Sequence, residues 1–275
     1  QSNSIAGIAH KQISSTIRNF ILPDSKLENF DIDKNLLQQI QNSMDLLREE
    51  DWNDAENNIY PKKLLFDEPW LRYLTQYPKI WLDMPITWER RRKQNFDDLP
   101  KSIEKDNYPQ YYLRNFHHQT DGYLSDFSAS IYDLQVEILF NGSADSMRRR
   151  IIKPIKEGLE YFSNRKKSSI KMLDVATGSG RTLKQLRVAF PKEKITGIDL
   201  SDSYLKEASR YISDLDGDLI ELIKANAEEL PFEDNSFQCI SCVYLFHELP
   251  RTIRAKVLNE FFRVLEPGGT LVLAD

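Results

Sequence analysis

From residue 170 onward, short apolar runs alternate with amphipathic stretches, and that rhythm leaves few folds open. The runs at about 170–175, 194–199, 219–224 and 237–244 have the length and apolar character of strands buried on both faces. Between them lie helical patterns. One spans about 180–190, ends at Pro191 and turns Leu183 and Leu186 inward. A second spans about 203–212, with Leu205, Ala208 and Tyr211 or Ile212 on one face. A third spans about 251–265, with Ile253, Val257, Phe261 and Val264 or Leu265 in one stripe. Glu266-Pro267-Gly268-Gly269 reads as a turn into a fifth strand beginning near Thr270. This order predicts an α/β fold: a doubly wound, Rossmann-like, mostly parallel sheet with right-handed crossovers and helices on both faces.

Before residue 168 helical patterns dominate. Residues 1–125 read as a helical, irregular region with a small core of its own, a candidate cover for a substrate, and residues 126–275 as the α/β domain. Leu36, Leu37, Ile40, Met44 and Leu47 recur at helical spacing. A second apolar segment, from Leu64 to Trp81, is expected to be cut into short pieces by Pro61, Pro69, Pro78 and Pro85. Trp52, Trp70, Trp81 and Trp88 are assigned to that core instead of a base-stacking platform. The run Glu89-Arg90-Arg91-Arg92-Lys93 reads as a solvated helix end. Residues 101–125 read as a loop with interleaved Tyr108, Tyr111, Tyr112, Phe116 and Tyr123. A helix follows from Asp126 or Ser128 to Phe140, closed by Asn141-Gly142. Another opens near Ser143 and runs toward Phe162, with Pro154 as a kink or break.

The chain has 275 residues and a net charge of −5, which argues against a broad nucleic-acid footprint. No run approaches the roughly 18 apolar residues of a membrane span, so stable membrane insertion is not expected. Cys239 and Cys242 fall within one strand pattern, where residues three apart face opposite sides. They read as two small buried residues in a reducing compartment; with no second Cys/His pair at zinc-site spacing, no metal is expected. The first residue is Gln1, and the last, Asp275, directly follows an apolar run. The chain is therefore expected to be a fragment or a processed product, its α/β domain incomplete after the fifth strand. A cytoplasmic location is expected, with a plastid or another organelle left open because a leader could precede Gln1.

In an open parallel sheet, ligands bind at the carboxyl ends of the strands. The unusual polar residues gather there. Leu173-Asp174-Val175-Ala176-Thr177-Gly178-Ser179-Gly180 takes a strand through an acid into a small-residue bend and a helix start. Gly178 and Gly180 let the backbone approach a ligand, and the N–H groups of the following helix suit a carboxylate. Asp174 disfavours a pyrophosphate and favours a cation-bearing ligand, and S-adenosylmethionine (SAM) carries an ammonium and a sulfonium. Leu183 occupies the place of the third glycine in a dinucleotide fingerprint, which weakens an NAD reading. Asp199 ends the second strand, 19 residues after Gly180, where a carboxylate accepts two hydrogen bonds from ribose; a helix cap is the competing role, open also to Ser201 or Asp202. Asn226 and Ala227, after the third strand, present an amide and a backbone N–H to the edge of an adenine. Tyr123 and Tyr244 are candidates for an aromatic wall against a sulfonium. His247, after the fourth strand, is the candidate general base, and a structural histidine bonded to a loop carbonyl is the competing reading. His117 and His118 carry less weight, because nothing in the sequence fixes their distance from that site.

These residues together resemble the class I SAM-dependent methyltransferases, and are most similar to the ubiquinone/menaquinone-type C-methyltransferase group. Asp174-x-Ala176-x-Gly178-x-Gly180 looks like the family's first motif, and Gly197-Ile198-Asp199-Leu200-Ser201 like its ribose-binding second. The segments from Ala225 to Phe232 and from Phe262 to Gly269 look like two further motifs. Ala176 stands where a glycine is common, and Asn226 where an aspartate is usual. The resemblance implies SAM bound by Asp174, Ala176, Thr177, Gly178, Ser179, Gly180, Asp199, Leu200, Asn226, Ala227 and Tyr244. It also implies methyl transfer to a small-molecule acceptor. A non-catalytic SAM-binding scaffold and, further off, an NAD(P)-dependent oxidoreductase are the rival readings.

Overall fold

The computed structural model describes residues 13–17, 34–215 and 220–275. Five strands form one parallel sheet: β1 (Lys171–Val175), β2 (Lys194–Asp199), β3 (Ile220–Lys224), β4 (Phe237–Val243) and β5 (Leu265–Ala274). Their order is β3-β2-β1-β4-β5. The chain reverses direction across the sheet between β1 and β4, so a crevice opens at their carboxyl ends. Registers are regular from β3 to β4, with Asp174 opposite Gly197 on one side and Ser241 on the other. The start of the third strand expected at Leu219 lies outside the described residues.

Alternation along the strands sorts the core into two faces. Met172, Ile195 and Cys239 pack with Leu183, Leu186, Ile151, Ile152 and Ile155. Leu173, Val175, Ile198, Ile240 and Cys242 pack with Val257, Phe261 and Val264. Cys239 and Cys242 are thus buried free thiols on opposite faces of β4, as their spacing requires. The first face is covered by α6 (Arg181–Ala189) with α5 (Ile152–Leu159). The second is covered by α8 (Arg251–Val264). On the first side α7 (Asp202–Ile212) starts with Ser201 as its cap, the hydroxyl accepting from the Tyr204 N–H.

β5 differs from expectation. Phe237 pairs with Leu265 and Cys239 with Thr270, so the predicted Glu266–Gly269 turn is an irregularity inside the strand. Pro154 likewise breaks nothing. It sits in the first turn of α5, where no intrahelical donor is lost, and the interruption falls between α4 (Ala144–Arg149) and α5.

The helical part begins with α1 (Lys34–Glu56) and α2 (Trp70–Arg92). Pro78 and Pro85 do not cut α2, which runs through both. They lie seven residues apart on its exposed face, while Tyr73, Gln76, Ile80 and Asp83 are buried on the other. That buried face packs on Ile131 and Leu134 of α3 (Asp126–Leu139), whose cap is Ser125. The expected small core of tryptophans forms only in part: Trp81 and Trp88 pack against this separate cluster, with Tyr73, Ile80 and Met84, while the other two do not join it. Trp52 and Trp70 are 49% and 48% exposed, Leu36, Leu37 and Ile40 are exposed, and Ala55, Tyr60 and Leu64 join the core beneath the sheet. Arg90 also departs from a solvated helix end: it is buried, binding Asp98 and the His118 carbonyl. Among the described residues no helix is long and apolar enough to cross a membrane.

Candidate functional site

A cleft of about 1030 Å³, counting the space open at its mouth, lies at the carboxyl ends of β1, β2 and β4. Of the residues singled out from the sequence, it brings together Ala176, Thr177, Gly178, Ser179, Asp199, Leu200, Asn226, Ala227 and Tyr244 as lining. Asp174, Gly180 and His247 are not on its wall.

The bend after β1 is held from three sides. The Thr177 N–H donates to the Ile198 carbonyl (2.9 Å), and the Gly178 N–H to Asp199 Oδ2 (2.9 Å). The Ser179 hydroxyl donates to Asp133. Gly178 and Gly180 have φ of +56° and +86°. At Gly180 a Cβ would also stand 3.0 Å from Ala208, so this glycine sets the approach of α6 to α7 instead of touching a ligand. Ala176 and Tyr244, with Cβ atoms, also adopt left-handed φ (+58° and +59°) at the ends of β1 and β4. Such strain gathers where a surrounding site over-determines the backbone.

Asp199 and Asp174 divide sharply. Asp199 Oδ2 accepts from Gly178 and Oδ1 from the Ser201 N–H (2.9 Å), so backbone donors fix the carboxylate while it faces the cleft. Burial raises its pKa, and those backbone bonds oppose the rise. Helix capping falls to Ser201, which leaves Asp199 unencumbered by that task. Asp174 is buried within the sheet: Oδ1 accepts from the Ser241 hydroxyl and Oδ2 from the Thr177 hydroxyl, each at 2.7 Å. Burial pushes its pKa up to about 6, against the two hydrogen bonds. The expectation that Asp174 meets a cationic ligand is therefore corrected: the acid reaches the cleft only through Thr177, whose orientation it sets.

Asn226 Oδ1 accepts from the Glu228 N–H (3.0 Å), which fixes its amide at the rim. The Tyr244 ring stacks on Phe140 and lies 5.7 Å from the Arg148 guanidinium. Its hydroxyl is buried with no partner among the described residues.

An aromatic part of the wall comes from residues with no role assigned from the sequence, Tyr123 apart. Tyr111, Tyr112, Phe116 and Tyr123 enter from the irregular segment before α3, Tyr132 from α3, and Tyr204 from α7. Tyr123 stacks on Phe116 (5.2 Å) and meets Tyr132 and Tyr204 edge-on. The interleaved tyrosines were the available signal. Nothing local showed that the segment folds over the strand ends. Asn115, fully buried, ties it down: its side chain accepts from the Asp98 N–H and donates to the Asp98 and Gln119 carbonyls. At the floor, Arg148 binds Asp145 (2.8 Å) and Arg181 pairs with the same carboxylate.

Among the described residues His247 meets carboxylates instead of a loop carbonyl. Its Nδ1 meets Asp275 Oδ1 at 2.7 Å and its Nε2 lies 3.4 Å from Glu248 Oε1. His117 Nε2 is 2.8 Å from the same Glu248 oxygen, which also accepts from the Tyr123 hydroxyl (2.9 Å). Burial alone would raise the Glu248 pKa; the bonds from His117 and Tyr123 hold it below the usual value. The bond to Glu248 raises that of His117. The sequence offers no metal-site spacing, yet His117, His247 and Glu248 converge at the edge of the cleft.

Residues 172–269 match a family model described as a methyltransferase domain. That segment is similar to the SAM-dependent methyltransferases. Over 152 residues the chain is 33% identical to the ubiquinone/menaquinone biosynthesis C-methyltransferase UbiE of Hahella chejuensis, covering 54% of this chain and 57% of that protein. Over 121 residues it is 34% identical to the demethylmenaquinone methyltransferase of Listeria monocytogenes, covering 44% and 49%. A solved SAM-dependent methyltransferase from Aquifex aeolicus is 28% identical, with a TM-score of 0.37 over 46% of this chain and 65% of that one. The chain spans about half the length of the curated relatives it matches. The matched residues supply the strand-end walls of the cleft, and the residues before 172 supply most of its aromatic side.

Proposed function

We propose that this chain transfers a methyl group from SAM to a small-molecule acceptor, with the cleft holding both. The observation that carries the reading is Asp199, whose carboxylate is fixed by two backbone donors while it faces the cleft.

The residues present fit SAM. Asp199 would take the ribose hydroxyls. Asn226 and Ala227 would take the adenine edge, the Asn226 amide donating because its oxygen already accepts from Glu228. The first-turn N–H groups of α6, which have no intrahelical acceptor, would face the carboxylate. The orphaned Tyr244 hydroxyl offers a further buried donor. A dinucleotide fits less well, since Leu183 is fully buried in the core where its third glycine would stand.

When bound, SAM supplies a methyl already activated by a sulfonium. The protein then has mainly to position the acceptor, an effect worth up to about 7–11 kcal/mol. Phe116, Tyr123 and Tyr132 offer flat apolar surfaces for a ring-bearing acceptor and exclude water from it.

Calorimetric titration with SAM and with NADH tests the cofactor. SAM should bind, and Asp199→Asn should weaken it about tenfold or more, since a hydrogen bond to a charged group is worth roughly 1.5–3 kcal/mol. Binding of NADH without SAM would falsify the reading. Incubation of a metabolite extract with methyl-labelled SAM tests the acceptor: label should enter small molecules, and label in protein bands instead would overturn that class. The scaffold reading draws on the outward face of α2, where Leu71, Leu74 and Leu82 are exposed. It predicts tight SAM binding with no label transferred.

A further inference from the structure

His117, His247 and Glu248 put three metal-ligating atoms within 4.8 Å of one another. His117 comes from the turn at Phe116–His118, and the other two from the turn at Phe246–Glu248, so only the folded chain assembles them. The two imidazole Nε2 atoms stand 2.8 and 3.4 Å from Glu248 Oε1. Ligands held at about 2.0–2.1 Å from one zinc at tetrahedral angles lie roughly 3.3 Å apart, so the 3.4 Å spacing already matches such an edge and the 2.8 Å one has only to open slightly.

The outer partners match as well. His247 Nδ1 rests against Asp275 (2.7 Å), the carboxylate–histidine arrangement that orients a metal-bound imidazole. Glu248 is steadied by the Tyr123 hydroxyl. With both imidazoles giving up their protons as ligation requires, the two carboxylates leave negative charge for a cation to balance. Both histidines are partly exposed, which gives an ion a route in. Imidazole with carboxylate suits divalent first-row transition ions.

We propose that His117, His247 and Glu248 form a binding site for one divalent first-row transition ion at the lip of the cleft, with Asp275 orienting His247. Three protein ligands leave a coordination position open beside the wall that Glu248 shares. That position takes an oxygen of the acceptor, a phenol, enol or carboxylate; this last step rests on the methyl-transfer reading, whereas the ion site does not.

The test strips the whole chain with a chelator, then titrates Co²⁺ by visible absorption and Zn²⁺ by calorimetry, without SAM. One equivalent should bind. His117→Ala and His247→Ala should each weaken binding at least tenfold, and Asp275→Asn about tenfold, the range for an outer partner. His118→Ala should leave it unchanged. Circular dichroism checks that each variant folds. On the unaltered chain, Co²⁺ should shift the ring-proton resonances of two of the four histidines. No stoichiometric binding, binding indifferent to both alanine substitutions, or no shifted histidine overturns the site. A SAM titration run alongside separates the readings: a chain that binds SAM but takes up neither Co²⁺ nor Zn²⁺ sinks this proposal and leaves methyl transfer standing.

Discussion

At the scale of single residues, two acids at strand ends looked alike in the sequence and fold into opposite roles. The place of Asp199 on the cleft wall was legible, because it closes the second strand and Ser201 takes the cap of α7. Asp174 was not, because spacing alone does not say whether a side chain turns to the cleft or to its neighbours in the sheet. Its register partner decides it: Ser241 stands opposite on β4 and donates inward. The consequence is measurable. Burial lifts Asp174 from 3.8 to about 6, so the folded chain takes up this proton before the unfolded one does. Its contribution is therefore complete below the unfolded value and is lost as pH rises through about 6. Two units correspond to about 3 kcal/mol at neutral pH. Asp174→Asn keeps both contacts, because the Thr177 and Ser241 hydroxyls can each donate or accept. In urea titrations the variant should be the more stable form at pH 7, by up to about 3 kcal/mol. The gap should close near pH 4. A difference that stays constant with pH would mean that Asp174 is not the group titrating.

At the scale of elements, the sheet and its crossover helices were readable almost residue by residue, since strand burial and helix amphipathicity both leave periodic marks. The helical part was not. Pro78 and Pro85 argue locally for breaks, yet α2 continues because both fall on its wet face and the opposite face is fixed by Ile131 and Leu134. Tertiary packing overrode a local rule. Likewise, the tyrosines before α3 were visible, but their place over the strand ends depends on Asn115 and its three hydrogen bonds, contacts with no sequence signature. If water alone compensates the carbonyl facing Pro78, restoring the donor should help. Pro78→Ala should raise the urea midpoint by the equivalent of about 1 kcal/mol, less than the roughly 3 kcal/mol of a helix-interior proline because proline also restricts the unfolded chain. A loss of stability would show instead that Pro78 itself helps to seat α2 on α3.

At the scale of the whole molecule, the helices before β1 are joined to those beneath the sheet by buried charge as well as by apolar contact. Asp51 of α1 accepts from Arg149 Nε (2.8 Å), from Arg149 Nη2 and from the Ser146 hydroxyl (2.9 Å), both residues of α4. The same guanidinium donates to the Leu64 carbonyl (3.0 Å). Asp51 and Arg149 are both buried, so removing the acid strands a cation away from water. That loss is typically about 3–5 kcal/mol. Asp51→Ala should therefore lower stability by that amount, and the manner of the loss tells how the chain is organised. All four tryptophans lie before residue 89, so their fluorescence follows the helical part, while far-ultraviolet dichroism follows the whole chain. If the helices and the sheet fold as one unit, both signals shift together to lower urea in the variant. If the helical part is a separate body resting on the sheet, fluorescence moves first and dichroism splits into two steps. The buried links from Ser179 to Asp133 and from Arg181 to Asp145 favour the first outcome, because they tie the glycine bend of the cleft to α3 and α4. A cleft walled on one side by strand ends and on the other by these helices keeps its shape only if the two move together.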